Sequence, residues 1–407
     1  VSTTEVNQPP AADGLGELPE TPAAQRESSL PASVWQRWLA RLAPALVYLA
    51  IRETGVLMLA WMAGRGGTDV TTALTAWDGQ WFKAIAQFGY DGVPSRLVDN
   101  FGRHTSATPL AFFPGYPYVV RWVAQLPGVG FDAAAFTVSL ACGVACAYGL
   151  ARLGRRVTGS SRVALIFVAL FAASPMAIVL SMAYSEAMFC ALAAWALVGV
   201  AERRWWLAGV CTIAVGLVRP TAMALVVVVM AAAVIALVRR RDGWRPWLGL
   251  VSAPLGLLAY LGYVAYRTGD PTGWFDLQRQ GWGSAFDGGV ATVRFGLDVV
   301  ASGRSVLEVG TVVFLLIAIG LVVLSVRQRL AWPLVVYGAL VLVMDLGSNG
   351  LMNSKARMLL PAFTLLLPVA IALARRRRAT TFVVLVSVAL ASAWFGAYSL
   401  TGWTFAI

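Results

Sequence analysis

LEVGTVVFLLIAIGLVVLSV, residues 307–326, carries one charge, Glu308 near its start, and runs on into Arg327 and Arg329. About twenty apolar residues is what a helix needs to cross the hydrocarbon of a bilayer. Working outward from it, comparable runs fall at 43–63, 131–151, 163–181, 185–201, 205–219, 221–238, 247–266, 331–346, 357–374 and 380–400, which makes eleven. The composition agrees: a chain of 407 residues that is 58% hydrophobic and 13% charged cannot clothe an ordinary soluble surface. The expected class is an all-α polytopic membrane protein.

The net charge of +12 suggests a nucleic-acid partner until its distribution is read. Loops 152–162, 202–204, 239–245, 327–329 and 375–378 hold 16 Arg against two acids, Glu202 and Asp242. Such loops are expected on the cytoplasmic side. The opposite side is neutral, with 12 basic and 12 acidic residues spread over long segments such as 64–130, 267–306 and 347–356. The arginines therefore read as topology determinants and anionic-lipid contacts, and no nucleic-acid partner is expected.

Residues 1–33 are rich in Pro, Ala, Glu and Ser and read as a disordered cytoplasmic tail. Trp35, Arg37, Trp38 and Arg41 then lead into the first span as an interfacial helix, and residues 34–401 form the membrane domain. The C-terminal Gly402 to Ile407 is expected outside. Cys142, Cys146, Cys190 and Cys211 all fall in apolar spans, with no partners at metal-ligand spacing. Arg outnumbers Lys thirty to two, which suggests a GC-rich bacterial genome.

Polar machinery gathers in the neutral loops. As a helix, 77–90 puts Trp77, Trp81, Ile85 and Phe88 on one stripe, with Asp78, Lys83 and Gln87 away from it, so it should lie flat in the interface. Asp78 then has two readings, helix N-cap or catalytic base. The same loop carries Phe112, Phe113, Tyr116 and Tyr118 around Pro114 and Pro117, a rigid aromatic turn that reads either as an aromatic belt or as a wall for a sugar or isoprenoid. Further clusters are Ser174-Pro175 with Tyr184, Ser185 and Glu186, Arg219-Pro220, Gly269-Asp270-Pro271 with Trp274, Gln278, Gln280 and Trp282, and Asn353 to Arg357. His104, the only histidine, sits in the first long loop.

In order along residues 40–375, Trp77-Asp78, Gly89-Tyr90, Phe113-Pro114 with Tyr116-Pro117, Ser174-Pro175 with Tyr184-Ser185-Glu186, Arg219-Pro220, Gly269-Asp270-Pro271 with Gln280-Gly281-Trp282, and Arg357 with Pro361 resemble the PIG-V-type mannosyltransferases of the GT-C glycosyltransferases. Trp81 stands where eukaryotic members tend to have His, which points to a bacterial branch. The resemblance implies a GT-C-like bundle of about 11 transmembrane helices whose long first external loop carries interfacial amphipathic helices. It also implies a polyprenyl-phosphate mannose donor, a membrane lipid or glycan acceptor, and a site at the external face of a bacterial plasma membrane.

On that reading Asp78 is the base of an inverting displacement. Arg357 and Lys355 are the preferred contacts to the donor phosphate, with Arg219 as a third. Trp77, Trp81, Tyr90, His104, Phe113 and Tyr116 are candidate substrate contacts in the first loop. Tyr184, Glu186, Asp270, Gln278, Gln280 and Trp282 are candidates elsewhere. No cofactor and no obligatory metal are expected, because the lipid-linked sugar is a substrate. A lipid-linked-sugar flippase or transporter, or transfer of another sugar such as arabinose, are the alternatives.

Overall fold

A computed structural model describes residues 34–302 and 305–403, so the expected tail over 1–33 and residues 404–407 lie outside the described residues. The chain divides into two compact units after Leu42. In the first, the described residues belong to the start of the helix Val34–Gly66, where Trp35 and Trp38 are exposed and the Arg41 guanidinium lies 5.5 Å from the Trp38 ring.

In the second unit each apolar run contains helix, but the run 163–181 leaves its helix after Ala172 and continues as a turn and the short segment Ala177–Leu180. Among the described residues five helices are individually long and apolar enough to cross a bilayer: Arg37–Gly66, Phe131–Thr158, Pro246–Thr268, Val306–Arg327 and Arg378–Thr401. A sixth is a bent pair, Met352–Met358 with Leu360–Ala374, turned by 52°. Pro361 lies at that bend: it lacks an N–H to continue the ladder, and Ala362 beside it leaves the helical region with ψ 24°. The remaining five runs are shorter helices, Ser161–Ala172, Glu186–Ala201, Trp205–Gly216, Ala222–Val238 and Trp332–Gly347.

The one acid of the opening stretch has a local explanation. Ser305 and Glu308 form a reciprocal capping box, the Ser305 N–H donating to Glu308 Oε2 at 3.0 Å and the Glu308 N–H to Ser305 Oγ at 3.4 Å. Glu308 thus satisfies helix-end donors before the apolar run begins. Elsewhere small residues let helices approach closely, as expected where the outside is as apolar as the inside. A Cβ on Gly256 would lie 1.9 Å from the Ile213 carbonyl oxygen, so that crossing tolerates only glycine.

The loops pair in two sets that follow the charge reading. Arg152 clasps Glu202 through Nε at 2.6 Å and Nη2 at 2.7 Å, Arg204 adds a contact to Glu202 at 3.3 Å, and Arg203 meets Asp242 at 3.5 Å. Arg162 Nη2 donates to the Arg376 carbonyl at 2.8 Å. Four of the arginine-rich loops are thereby tied to one another, and both of their acids are neutralised. The acidic and aromatic segments converge separately on Asp78.

Candidate active site

Asp78 opens the helix Asp78–Phe88, whose buried face is Trp81, Phe82, Ile85 and Ala86. This corrects the expected stripe, since Trp77 and Phe88 are exposed at 38% and 46%. The helix is packed on the protein rather than lying loose on a surface. Trp77, not Asp78, is the N-cap residue, and it makes no side-chain cap bond. Its φ of 56° and ψ of −120° lie in a region that costs a bulky L-residue about 1–3 kcal/mol. The Asp78 N–H donates to the Tyr184 hydroxyl at 3.2 Å.

Both sides of the helix are fastened. Arg121 Nε donates to the Ala86 carbonyl at 2.7 Å, serving the C-terminal carbonyls that a helix leaves open, and Lys83 pairs with Asp132 at 2.8 Å. Its placement therefore does not depend on a ligand.

Asp78 heads an alternating chain of charges. Asp78 Oδ2 accepts from Arg357 Nη1 at 2.7 Å, Arg357 Nε is 3.6 Å from Glu186 Oε1, and Glu186 Oε1 is 2.5 Å from Arg219 Nη1. Tyr184 lies under Arg357, 5.2 Å from guanidinium to ring, and Ser185 Oγ accepts from Arg219 at 3.3 Å. Glu186 is fully buried at the first turn of its helix, where a negative charge suits the dipole. Arg357 is committed to two carboxylates. Arg219 sits at the open end of the chain, and its Nε has no protein partner.

Asp78, Arg219, Arg357, Phe113, Gln278 and Trp282 line one cavity of about 170 Å³, together with Phe82, Phe112, Ser185, Trp274 and Ser284. The aromatic wall is continuous: Trp81 and Phe112 stack at 5.1 Å, and Trp282 meets both edge-on at 6.1 and 5.5 Å. Tyr90 and Tyr260 fix this wall from behind, their hydroxyls donating to the Phe112 carbonyl at 2.8 and 2.6 Å. Trp274 Nε1 and Gln278 Nε2 both donate to the Ala111 carbonyl, at 3.3 and 3.1 Å. Tyr90 thus positions the wall rather than lining the cavity.

Other candidates lie further off. Lys355 is placed differently from the two arginines: it is 2% exposed, does not line the cavity, and donates through Nζ to the carbonyls of Asp345 and, at 2.7 Å, Ser348. It neutralises the end of the helix Trp332–Gly347. Tyr116 is fully buried and bonded to the Ala135 carbonyl and Ser139 Oγ, both at 3.0 Å. His104 stacks on Trp81 at 6.4 Å and engages the Leu97 carbonyl through Nδ1 at 2.6 Å. Asp270 is turned to Thr272, accepting from its N–H at 2.8 Å and its hydroxyl at 2.9 Å. Gln280 is exposed, and its carbonyl accepts from Arg103.

Arg103 belongs to a small turn that clips the first loop to the helix Gly273–Trp282. Asp99 accepts from the N–H groups of Phe101 at 2.9 Å and Arg103 at 3.0 Å, and from Arg103 Nε at 3.1 Å. Burial pushes its carboxyl up, but those bonds and the Arg103 charge outweigh that and hold it below the ordinary carboxylate value.

Gly115 sets the register between the aromatic turn and the Arg219 turn. Its N–H donates to the Leu217 carbonyl at 2.7 Å, and a Cβ there would lie 2.8 Å from that oxygen and 2.9 Å from Val218 Cγ2. Gly115→Val is expected to destabilise the protein by about 1–3 kcal/mol and to move Arg219 out of line. The check is a melting curve beside an activity assay; an unchanged midpoint with full activity contradicts it.

Two larger spaces adjoin the cavity. One, of about 810 Å³, is lined almost wholly by apolar side chains including Val119, Leu192, Leu207 and Val218, with Tyr90, Tyr260 and Tyr263 at one wall, and it shares Val218 with the Asp78 cavity. The other, of about 410 Å³, shares Arg219, Trp274, Gln278 and Ser284 with it. Among the described residues no group of three or more His, Cys, Asp or Glu comes close enough to hold a metal ion.

No family model matches the sequence, and no curated protein does. Among solved structures the chain is similar to ArnT from Cupriavidus metallidurans at 15% identity. The crystal structure bound to undecaprenyl phosphate gives a TM-score of 0.49 over 91% of this chain and 76% of that one. The apo crystal structure gives 0.48 over 79% and 70%.

Proposed function

We propose that the Asp78 cavity transfers a sugar, mannose in the specific form, from a polyprenyl-phosphate donor to a hydroxyl of a membrane lipid or glycan. The setting is the external face of a bacterial plasma membrane, and the architecture is of the GT-C type. One observation carries the reading: a carboxylate and a cation with an unpaired donor line the same aromatic cavity, and an apolar groove lies against that cavity at Val218. A sugar, a phosphate and an isoprenoid chain call for those three environments in that order.

The chemistry follows from the positions. Asp78 Oδ2 is held by Arg357, which leaves Oδ1 for the acceptor hydroxyl. As the acceptor oxygen bonds to the sugar C1, its proton passes to Asp78, and the C1–O bond to phosphate breaks on the opposite face. Polyprenyl phosphate leaves with the bonding pair, and Arg219 receives the added charge. Inversion at C1 turns a β-linked donor into an α-glycoside. Arg357 orients the base and screens its charge from Glu186.

Purified protein incubated with undecaprenyl-phosphate mannose and fractionated membrane lipids is expected to yield a new mannosylated product by mass spectrometry. A flippase moves the donor intact and yields none. Arg219→Ala is expected to weaken donor binding by about 1.5–3 kcal/mol, the worth of a bond to a charged group. Native donor affinity in that variant contradicts the phosphate assignment.

A further inference from the structure

Asp345 is an acid inside an otherwise apolar stretch, in the last turn of the helix Trp332–Gly347. The residue is 4% exposed, and neither carboxylate oxygen has a hydrogen bond from the protein. A carboxylate there faces two penalties, lost hydration and the negative end of the helix dipole. Lys355 eases the second by capping the Asp345 and Ser348 carbonyls, but its ammonium is spent on those oxygens and not on the carboxylate. Asp345 lines the 410 Å³ chamber, whose walls also hold Ser348, Ser284, Trp274 and Phe275. Arg219 and Gln278 form the boundary with the Asp78 cavity.

We propose that this chamber binds the polyhydroxylated head of the acceptor, with two neighbouring hydroxyls donating to the two oxygens of Asp345. The inference rests on the transfer reading of the Asp78 cavity and assigns the side from which the acceptor arrives. An ionised carboxylate is an acceptor with two oxygens, matched by the O–H donors of a vicinal diol on a pyranose or cyclitol. Trp274 and Phe275 supply the flat apolar surface that the C–H face of such a ring packs on. The direction follows from the walls the cavities share: the apolar groove has only Val218 in common with the Asp78 site, whereas the chamber shares Arg219, Trp274, Gln278 and Ser284 with it. A donor whose tail fills the groove leaves the chamber to the second substrate.

The test is equilibrium binding to the full chain in lipid nanodiscs, with radiolabelled butyl α-mannoside and undecaprenyl-phosphate mannose as separate probes. The native protein is expected to bind both. Asp345→Asn weakens butyl mannoside binding by about tenfold or more, the loss of one charge-assisted bond, and leaves donor binding within about twofold. Met344→Trp fills the same chamber from a neighbouring wall residue and is expected to do likewise. The assignment is overturned if the native protein binds donor but not butyl mannoside, or if both variants bind the mannoside as tightly as the native protein. It is also overturned if the variants lose the donor instead, which gives the chamber to the donor's own sugar. Failure of the native protein to bind donor at all counts against the transfer reading itself, and is read from the other probe.

Discussion

Glu186→Gln is expected to cost the solubilised protein about 3–5 kcal/mol, the penalty for removing one partner from a buried ion pair. Glu186 is fully buried between Arg219 at 2.5 Å and Arg357 at 3.6 Å, so the amide leaves two guanidinium groups facing each other across a space that held their counter-charge. Arg357 retains Asp78, but Arg219 is left with the Ser185 hydroxyl alone. Replacing both members, Glu186→Leu with Arg219→Met, removes the charge and its partner together, and recovers much of the loss. A thermal-melt double-mutant cycle measures the coupling. Additive losses at the two positions contradict the charge chain as a unit.

Asp78→Asn is expected to lower transfer by about 10²–10⁴-fold at saturating substrates, since the amide keeps the size of the side chain and cannot accept the proton. Donor affinity should stay within about twofold, because the phosphate falls to Arg219. Folding should hold, because the helix is fastened by Arg121 and Lys83 and Arg357 keeps Glu186. A loss confined to KM places Asp78 in binding rather than in proton transfer. A noncatalytic role in assembly predicts no loss.

Much of this was legible in the sequence because hydrophobic length and charge sign are local properties. The eleven apolar runs, the arginine-rich turns and the acidic, aromatic loops could each be read within a short window. Their meeting could not: Asp78 and Arg357 are separated by 279 residues, and no periodicity reports a contact across that distance. Side-chain direction was the weaker part. Of the 77–90 stripe, Trp81 and Ile85 are buried, but Trp77 stands outside the helix in a strained turn and Phe88 is exposed at its end. Lys355 looked like a phosphate ligand by charge and neighbourhood, but helix-end carbonyls needing a donor lie nearer to it. Tyr116 belongs to the aromatic-proline motif, but its hydroxyl is absorbed by the Phe131–Thr158 helix. Phe82, one turn after Asp78 on the same helix face, lines the cavity and was open to discovery by i,i+4 spacing.

The most direct test loads native and Asp78→Asn protein with equal amounts of labelled undecaprenyl-phosphate mannose, then adds membrane lipids and follows a single turnover. The native protein is expected to pass the label to a new glycoside, while the variant keeps it on the bound donor. Equal rates of label transfer from the two proteins contradict the account.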